Sequence, residues 1–274
     1  MKNVILFGYG KMGSSLAKGW KSSKIDFNFL IIEKEETLKK QALIDGFQSF
    51  KDIKELLTIT NIKNLDIIFL AVKPQQMSLT IKQICETYNQ NTLFISIAAG
   101  LSFRWFQKSL NKNIKIIRAM PNTPASVGRG ITGYCKTDNV TELEKSEAYK
   151  LLSSIGKTVF LNSETLIDVV TSISGSGPAY VFYFVEVLAQ IAKDEGLEEK
   201  DAKLLALETL IGSAQLLDAT NIDPKTLRQN VTSPAGTTEA ALEKLMCPQT
   251  GLFPLLKSTI DLAKKRAQNL NSNN

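Results

Sequence analysis

The sequence predicts an α/β protein in two parts: an open, largely parallel sheet domain over residues 1–162, followed by an all-helical domain over residues 163–274. Three observations predict it. Through about the first 160 residues, short apolar runs alternate with longer amphipathic segments. A Gly-x-Gly-x-x-Gly turn follows the first of those runs. Beyond about Ser163 the strand-like runs stop and helical patterning takes over.

Val4–Phe7, Phe29–Ile32, Ile67–Val72, Leu93–Ala98 and Ile114–Ala119 read as strands, because they are short, rich in Ile, Leu, Val and Phe, and bounded by Gly, Pro, Asn or Asp. They lack polar alternation, as parallel strands covered on both faces do. Lys11–Ser22 and Glu35–Asp45 are long enough for crossover helices, and Ile131–Cys135 and Thr158–Leu161 are candidate strands at the far edge. In the second part, Ser163 is a candidate cap for a helix running to about Ser172. Gly175-Ser176-Gly177-Pro178 is expected to break the chain, with Pro178 in the first turn of the next helix and Gly196 just past that helix's end at Glu195. Val181, Val185, Leu188, Ala189 and Ala192 form one apolar stripe on it, and Phe182, Phe184, Val187 and Ile191 fill much of the remaining circumference. A helix apolar nearly all round has to be buried on most sides. In a part of about 110 residues, a partner subunit is the expected cover. Further helices are expected over about Glu199–Leu217, from Asp223-Pro224, over Glu239–Met246, and to about Leu270, with Asn271–Asn274 frayed.

Composition removes several function classes. The chain of 274 residues contains no histidine, which excludes Ser-His-Asp triads, Cys-His dyads, His-ligated zinc and His general bases. Its three cysteines, Cys85, Cys135 and Cys247, are far apart and form no CxxC pair, so a zinc ribbon or thioredoxin-like motif is excluded. The net charge of +6 is spread along the chain, with only Lys264-Lys265-Arg266 as a cluster, so no nucleic-acid partner is expected. The first apolar run stops at Gly8, too short for a signal-peptide core, and no stretch reaches the roughly 20 apolar residues of a membrane span. The expectation is a soluble cytoplasmic protein without a membrane partner.

The motifs point to a dinucleotide. Gly8-Tyr9-Gly10-Lys11-Met12-Gly13 follows a strand and opens a helix, the context in which the glycines allow a tight turn, a close pyrophosphate and close helix-on-strand packing. Twenty residues past Gly13 comes Glu33, placed to accept hydrogen bonds from the adenosine ribose of NAD(H) and to repel the 2′-phosphate of NADP(H), although Lys34, Lys39 and Lys40 follow it. Ala71-Val72-Lys73-Pro74 and Ser96-Ile97-Ala98-Ala99-Gly100 end two further strands, where open α/β sheets bind ligands. Asn122 and Thr123 sit between two prolines in Arg118–Pro124. Ser174–Tyr180 and Thr232–Glu239 are helix breaks rich in small hydroxyls. In the second, Gly236-Thr237-Thr238 opens a helix and offers backbone N–H groups suited to a carboxylate, with Thr237 or Thr238 as the candidate cap.

These segments, GYGKMG (8–13), AVKP (71–74), SIAAG (96–100), RAMPNTP (118–124), SGSGPAY (174–180) and TSPAGTTEAALEKL (232–245), resemble in order and over nearly the whole chain the 1-pyrroline-5-carboxylate reductase family. The resemblance implies an N-terminal Rossmann domain, a C-terminal helical dimerisation domain, and reduction of 1-pyrroline-5-carboxylate to L-proline by NADPH or NADH. It further implies a homodimer at least, and rings of dimers in many members. Gly8, Tyr9, Gly10, Lys11, Met12 and Gly13 would then cradle the pyrophosphate, Ala71, Val72, Lys73, Pro74 and Ala98 would line the cofactor, and Asn122 would lie near the nicotinamide. Ser176, Gly236, Thr237 and Thr238 would hold the substrate, with Ser176 and Thr238 as the catalytic pair and Thr238 beside the ring nitrogen. No metal is implied. Two positions depart from the family pattern. Ala235 replaces the first glycine of a Pro-Gly-Gly-Thr segment, and Glu33 stands where many members carry residues that accept NADPH.

Two rival readings have their own signatures. A β-hydroxyacid dehydrogenase of similar layout needs a catalytic lysine in the helical domain, whereas Lys193 and Lys203 lie outside the small-residue breaks. A dinucleotide sensor needs no pocket for a second substrate, which leaves the SGSGPAY and SPAGTT segments unexplained.

Overall fold

A computed structural model describes residues 1–60, 62 and 65–272, the last two by their backbone alone. It contains two compact units, residues 1–176 with 263–274, and residues 177–262. The sequence pattern changes near Ser163. The first unit nevertheless extends to Ser176, because a short helix there packs on the far strands of the sheet.

The first unit is built on eight strands: β1 (Lys2–Phe7), β2 (Phe27–Ile32), β3 (Gln48–Phe50), β4 (Ile67–Leu70), β5 (Leu93–Ser96), β6 (Lys115–Met120), β7 (Gly130–Lys136) and β8 (Gly156–Phe160). Their order is β3-β2-β1-β4-β5-β6-β7-β8. All neighbours run parallel except β6 and β7, which pair antiparallel from Ile117↔Lys136 to Met120↔Gly133. Among the described residues, seven α-helices lie wholly in this unit: α1 (Lys11–Ser22), α2 (Glu36–Ile44), α3 (Ile53–Ile59), α4 (Pro74–Ile84), α5 (Phe103–Ser109), α6 (Glu142–Ser153) and α7 (Leu166–Val170).

Strand sequences without polar alternation follow from helices on both faces. On β1, Val4 and Leu6 pack with Leu16, Ala17, Trp20, Leu151 and Leu152, from α1 and α6. Ile5 and Phe7 pack with Ile53, Met77, Ile81 and Phe106, from α3, α4 and α5. Each buried Leu, Ile or Phe contributes about 1.5–3 kcal/mol, so neither face tolerates a polar residue readily. Trp20 anchors the first face: it stacks on Phe29 at 4.9 Å between ring centres, and its indole N–H donates to the Leu151 carbonyl at 2.9 Å.

The strands expected to reach Val72 and Ala98 stop at Leu70 and Ser96, which turns Ala71–Pro74 and Ile97–Gly100 into loops at the carboxyl edge of the sheet. β3 was not expected, and it pairs only three residues with β2. The helix expected from Ser163 begins instead at Leu166, after Thr165, and Ser163 bonds to Thr165 through its side chain. The expected break at Gly175–Pro178 is a wide helical turn: residues Thr171–Gly175 follow α7 with π-type hydrogen bonding, Ser176 keeps right-handed helical angles, and the Ser176 N–H donates to the Thr171 carbonyl at 2.9 Å.

The second unit is helical, with α8 (Gly177–Asp194), α9 (Glu199–Thr220), α10 (Pro224–Asn230), α11 (Thr237–Leu245) and the start of α12 (Leu252–Ser272). α8 and α9 pack against each other and are joined by a short turn at Gly196, whose φ of +100° lies in the region that favours glycine. Asp223 caps α10, its carboxylate accepting from the N–H groups of Lys225 and Thr226. In the single chain no residue of α8 is fully buried: Phe182 is 65 % and Tyr183 63 % exposed. No described helix is long and apolar enough to cross a membrane. The expected fraying of Asn271–Asn274 meets a backbone that is helical to Ser272, while residues 273–274 lie outside the described residues.

Candidate functional site

The direction of strand order reverses between β1 and β4, and in open α/β sheets ligands bind beyond the strand ends at such a point. The glycine turn sits there. Gly8 follows β1 with φ +97°, and a Cβ on it would lie 2.9 Å from the Ala71 carbonyl oxygen. A Cβ on Gly13 would lie 2.1 Å from the Gly8 carbonyl oxygen, so this glycine is what lets α1 close on the turn. Gly10 differs: nothing lies within 4 Å of the position its Cβ would take. It is the N-cap of α1, no side chain caps that helix, and its first turn holds no acid. The amides of the first turn therefore face an open backbone with a positive dipole end, which fits the pyrophosphate of a dinucleotide.

The intervening side chains divide. Lys11 is exposed and Met12 packs against the core. Tyr9 is only 1 % exposed and turns inward, its hydroxyl donating to the Asp45 carboxylate at 2.7 Å, so it offers the turn its backbone alone. Burial raises the Tyr9 hydroxyl far above its usual range. Burial also pushes Asp45 up, but hydrogen bonds from Tyr9, Lys18 and Gln41 and the Lys18 charge outweigh it and hold the carboxyl below its ordinary value.

Glu33 follows β2 and is 8 % exposed. One carboxylate oxygen accepts from the Tyr9 N–H at 2.7 Å and the other from the Glu35 N–H at 2.9 Å. Ala71, Val72, Lys73 and Pro74 follow β4. The Ala71 N–H donates to the Phe7 carbonyl, Lys73 is exposed at the N-cap of α4, and Pro74 opens that helix. Ala98 is buried beyond β5, its N–H donating to the Ser96 hydroxyl at 3.3 Å. Residues 8–13, 33, 71–74 and 98 thus gather along the carboxyl ends of β1, β2, β4 and β5.

Asn122 follows β6, is 8 % exposed, and has both ends of its amide engaged. Its oxygen accepts from the Ile131 N–H at 2.9 Å and its nitrogen donates to the Ser174 carbonyl at 3.1 Å. It ties the loop after β6 to the wide turn that carries Ser176. Asn122→Ala leaves a buried donor and a carbonyl unpaired, which costs about 2 kcal/mol. Urea unfolding should show that loss as a lower midpoint at unchanged slope. Sequence reading did not assign Arg118 a partner. It is 4 % exposed and pairs with Glu164, whose same oxygen accepts from the Phe103 N–H at the start of α5. Nothing in the spacing of Arg118 and Glu164 announces that pair.

In the second unit, Gly236 rather than Thr237 or Thr238 is the N-cap of α11. A Cβ on Gly236 would meet the Ser233 hydroxyl at 2.5 Å, which explains a glycine there. Thr237 and Thr238 occupy the first two helical positions, the former exposed and the latter half-buried, and neither hydroxyl caps the helix. Ala235 has φ +58°, the left-handed region that favours glycine, and its N–H donates to the Glu239 carboxylate at 2.7 Å. Ala235→Gly should therefore raise thermal stability, by about 0.5–1 kcal/mol, with the unfolding midpoint as the measure. Lys193 and Lys203 both pair with Glu199 at the start of α9. The described residues contain no cluster of His, Cys, Asp and Glu able to hold a metal ion.

Comparison with known proteins matches residues 164–270 to the family described as pyrroline-5-carboxylate reductase dimerisation, and residues 3–100 to that described as NADP oxidoreductase coenzyme F420-dependent. The pyrroline-5-carboxylate reductase of Methanosarcina acetivorans is 32 % identical, with 98 % of each chain covered. That of Aquifex aeolicus is 31 % identical, with 97 % of each covered. Among solved structures, a pyrroline-5-carboxylate reductase from Coxiella burnetii superposes with a TM-score of 0.88 at 30 % identity, over 98 % of both chains. Pyrroline carboxylate reductase from Plasmodium falciparum, with NADP bound, gives 0.80 at 28 % identity over 98 % of both. With its glycine turn at the switch point of the sheet, its helical second unit and full-length relatives of one kind, the chain belongs to the pyrroline-5-carboxylate reductase family of NAD(P)-dependent oxidoreductases.

Proposed function

We propose that the chain reduces 1-pyrroline-5-carboxylate to L-proline with NADPH or NADH, the last step of proline biosynthesis. Support comes chiefly from relatives of that name over 97–98 % of the chain. When bound, the reduced nicotinamide supplies a hydride to the C=N carbon of the ring. The chain's own residues bind and orient. Gly8, Gly10 and Gly13 with the first-turn amides of α1, those of Lys11 and Met12 among them, would hold the pyrophosphate, while Tyr9, whose N–H is bonded to Glu33, would shape the turn that cradles it. Glu33 holds the adenosine ribose. Ala71, Val72, Lys73, Pro74 and Ala98 would line the cofactor, with Asn122 near its nicotinamide. The amides at Gly236, Thr237 and Thr238 hold the substrate carboxylate at the N-terminus of α11, where a negative charge is stabilised. Ser176 adds a hydroxyl to the substrate, and the Thr238 hydroxyl hydrogen-bonds the ring nitrogen.

A chain without histidine suits this chemistry. The ring nitrogen of the imine is basic enough to be largely or partly protonated near neutral pH, and the protonated ring is the better hydride acceptor, so positioning replaces a tuned acid. The boundary that matters to function is proposed at residues 162/163, with the helical part responsible for substrate and dimerisation. The exposed apolar circumference of α8 belongs to that dimer, and rings of dimers are the proposed higher assembly. A cytoplasmic location is proposed, with no nucleic-acid or membrane partner. The pairing of Lys193 and Lys203 with Glu199 speaks against the lysine-dependent dehydrogenase reading.

The reading is tested by incubating the protein with 1-pyrroline-5-carboxylate and a reduced cofactor deuterated at the nicotinamide C4. L-Proline carrying deuterium at C5 is expected. A 3-hydroxy acid as the only substrate turned over would replace the reading.

A further inference from the structure

We propose that Glu33 selects NADH over NADPH in this chain, an inference that rests on the reductase reading above. The carboxylate is buried, and each oxygen already accepts one backbone N–H, from Tyr9 and from Glu35. A carboxylate has about four acceptor sites, so two remain. It has no donor. Two ribose hydroxyls, which donate, match what is left. A 2′-phosphate presents only acceptors and up to two negative charges, and it would meet the carboxylate at close range.

The groups around the carboxylate strengthen the exclusion. The Tyr9 N–H, the donor of the glycine turn that faces Glu33, is already taken by the carboxylate at 2.7 Å and is not free for a second anion. Residues 33–36 read Glu-Lys-Glu-Glu, three acids against one lysine. Of the nearby bases that might offset them, Lys39 pairs with Glu55 at 3.5 Å and Lys18 with Asp45 at 3.1 Å. Lys21 donates to the Asp45 carbonyl and lies 5.5 Å above the Phe47 ring. Lys34 and Lys40 are exposed side chains.

The test reads binding separately from turnover. Isothermal titration of the protein with NADH and with NADPH should show NADH binding at least about a hundredfold more tightly, as expected for one unscreened like-charge contact at close range. Titration with 2′-phospho-ADP-ribose against ADP-ribose should show the same ratio without any nicotinamide. Glu33→Ser frees the two N–H groups and removes the charge. It should weaken NADH and strengthen NADPH, moving the ratio by about a hundredfold or more towards NADPH. Glu33→Gln, which keeps the shape and loses the charge, should move it the same way by less. NADPH bound as tightly as NADH by the wild-type chain overturns the role of Glu33 and leaves the reductase reading standing. So does a ratio unchanged in both variants. A folded chain that binds neither cofactor overturns both.

Discussion

Gly13→Ala is expected to weaken dinucleotide binding by roughly tenfold to more than a hundredfold. The new Cβ would stand 2.1 Å from the Gly8 carbonyl oxygen, and both the atom and its neighbour are backbone, with no flexible side chain to yield. Either α1 moves away from β1 or the turn at Gly8 opens. Overpacking of this kind costs about 1–3 kcal/mol or more, equivalent to roughly tenfold to more than a hundredfold in affinity if the turn absorbs it. Fluorescence titration with NADH and NADPH measures the loss, and circular dichroism separates it from unfolding. Gly10→Ala gives the discriminating comparison. Nothing surrounds that position within 4 Å, so the variant should lose no more than the roughly 0.5–1 kcal/mol that alanine costs at an N-cap. It should still bind either cofactor more weakly, because the methyl group takes the approach of the pyrophosphate. Wild-type affinity in Gly10→Ala would remove the turn as the pyrophosphate site.

Thr238→Ala is expected to cut turnover by roughly tenfold to a thousandfold, the range for losing one positioned polar group in proton-coupled chemistry. Thr238 is at the second position of α11 and does not cap it, so the change should leave the unfolding midpoint close to wild type. The affinity for the cofactor should also be unchanged. Thr238→Ser keeps the hydroxyl and should restore most of the rate. Near-normal turnover in the alanine variant would take Thr238 out of the reaction, and equal losses in the serine and alanine variants would make its role steric.

The dinucleotide half was legible in the sequence because one backbone requirement produces it. A strand, a turn that only glycine can make and a helix must follow one another, and Gly8 and Gly13 show in the structure the close contacts that demand it. Strand faces were legible because β1, β4, β5 and β6 are covered on both sides and carry no polar alternation. β3 was not, since three edge residues hold too little pattern. The turn at Thr171–Gly175 read as a break because Gly-Ser-Gly-Pro favours one. Its wider helical hydrogen bonding is held by the Asn122 amide, some fifty residues away in sequence, which local propensity cannot register. Tyr9 was legible as a member of the turn, but not the inward course of its ring towards Phe47 and Asp45, which lie just past α2. Gly236 displaced the threonines as cap because the tight packing on Ser233 decides where α11 starts. The positive φ at Ala235 puts an alanine in a backbone region that favours glycine, which the sequence alone does not display.

The activity of this chain is hydride transfer from a nicotinamide to a cyclic imine. It is tested most directly by following nicotinamide absorbance when the purified, folded oligomer meets 1-pyrroline-5-carboxylate with NADH or NADPH at equal concentration. Absorbance should fall only when the imine is present, faster with NADH, with L-proline formed mole for mole. Cofactor that binds but is never consumed would contradict it, and would make the chain a dinucleotide sensor.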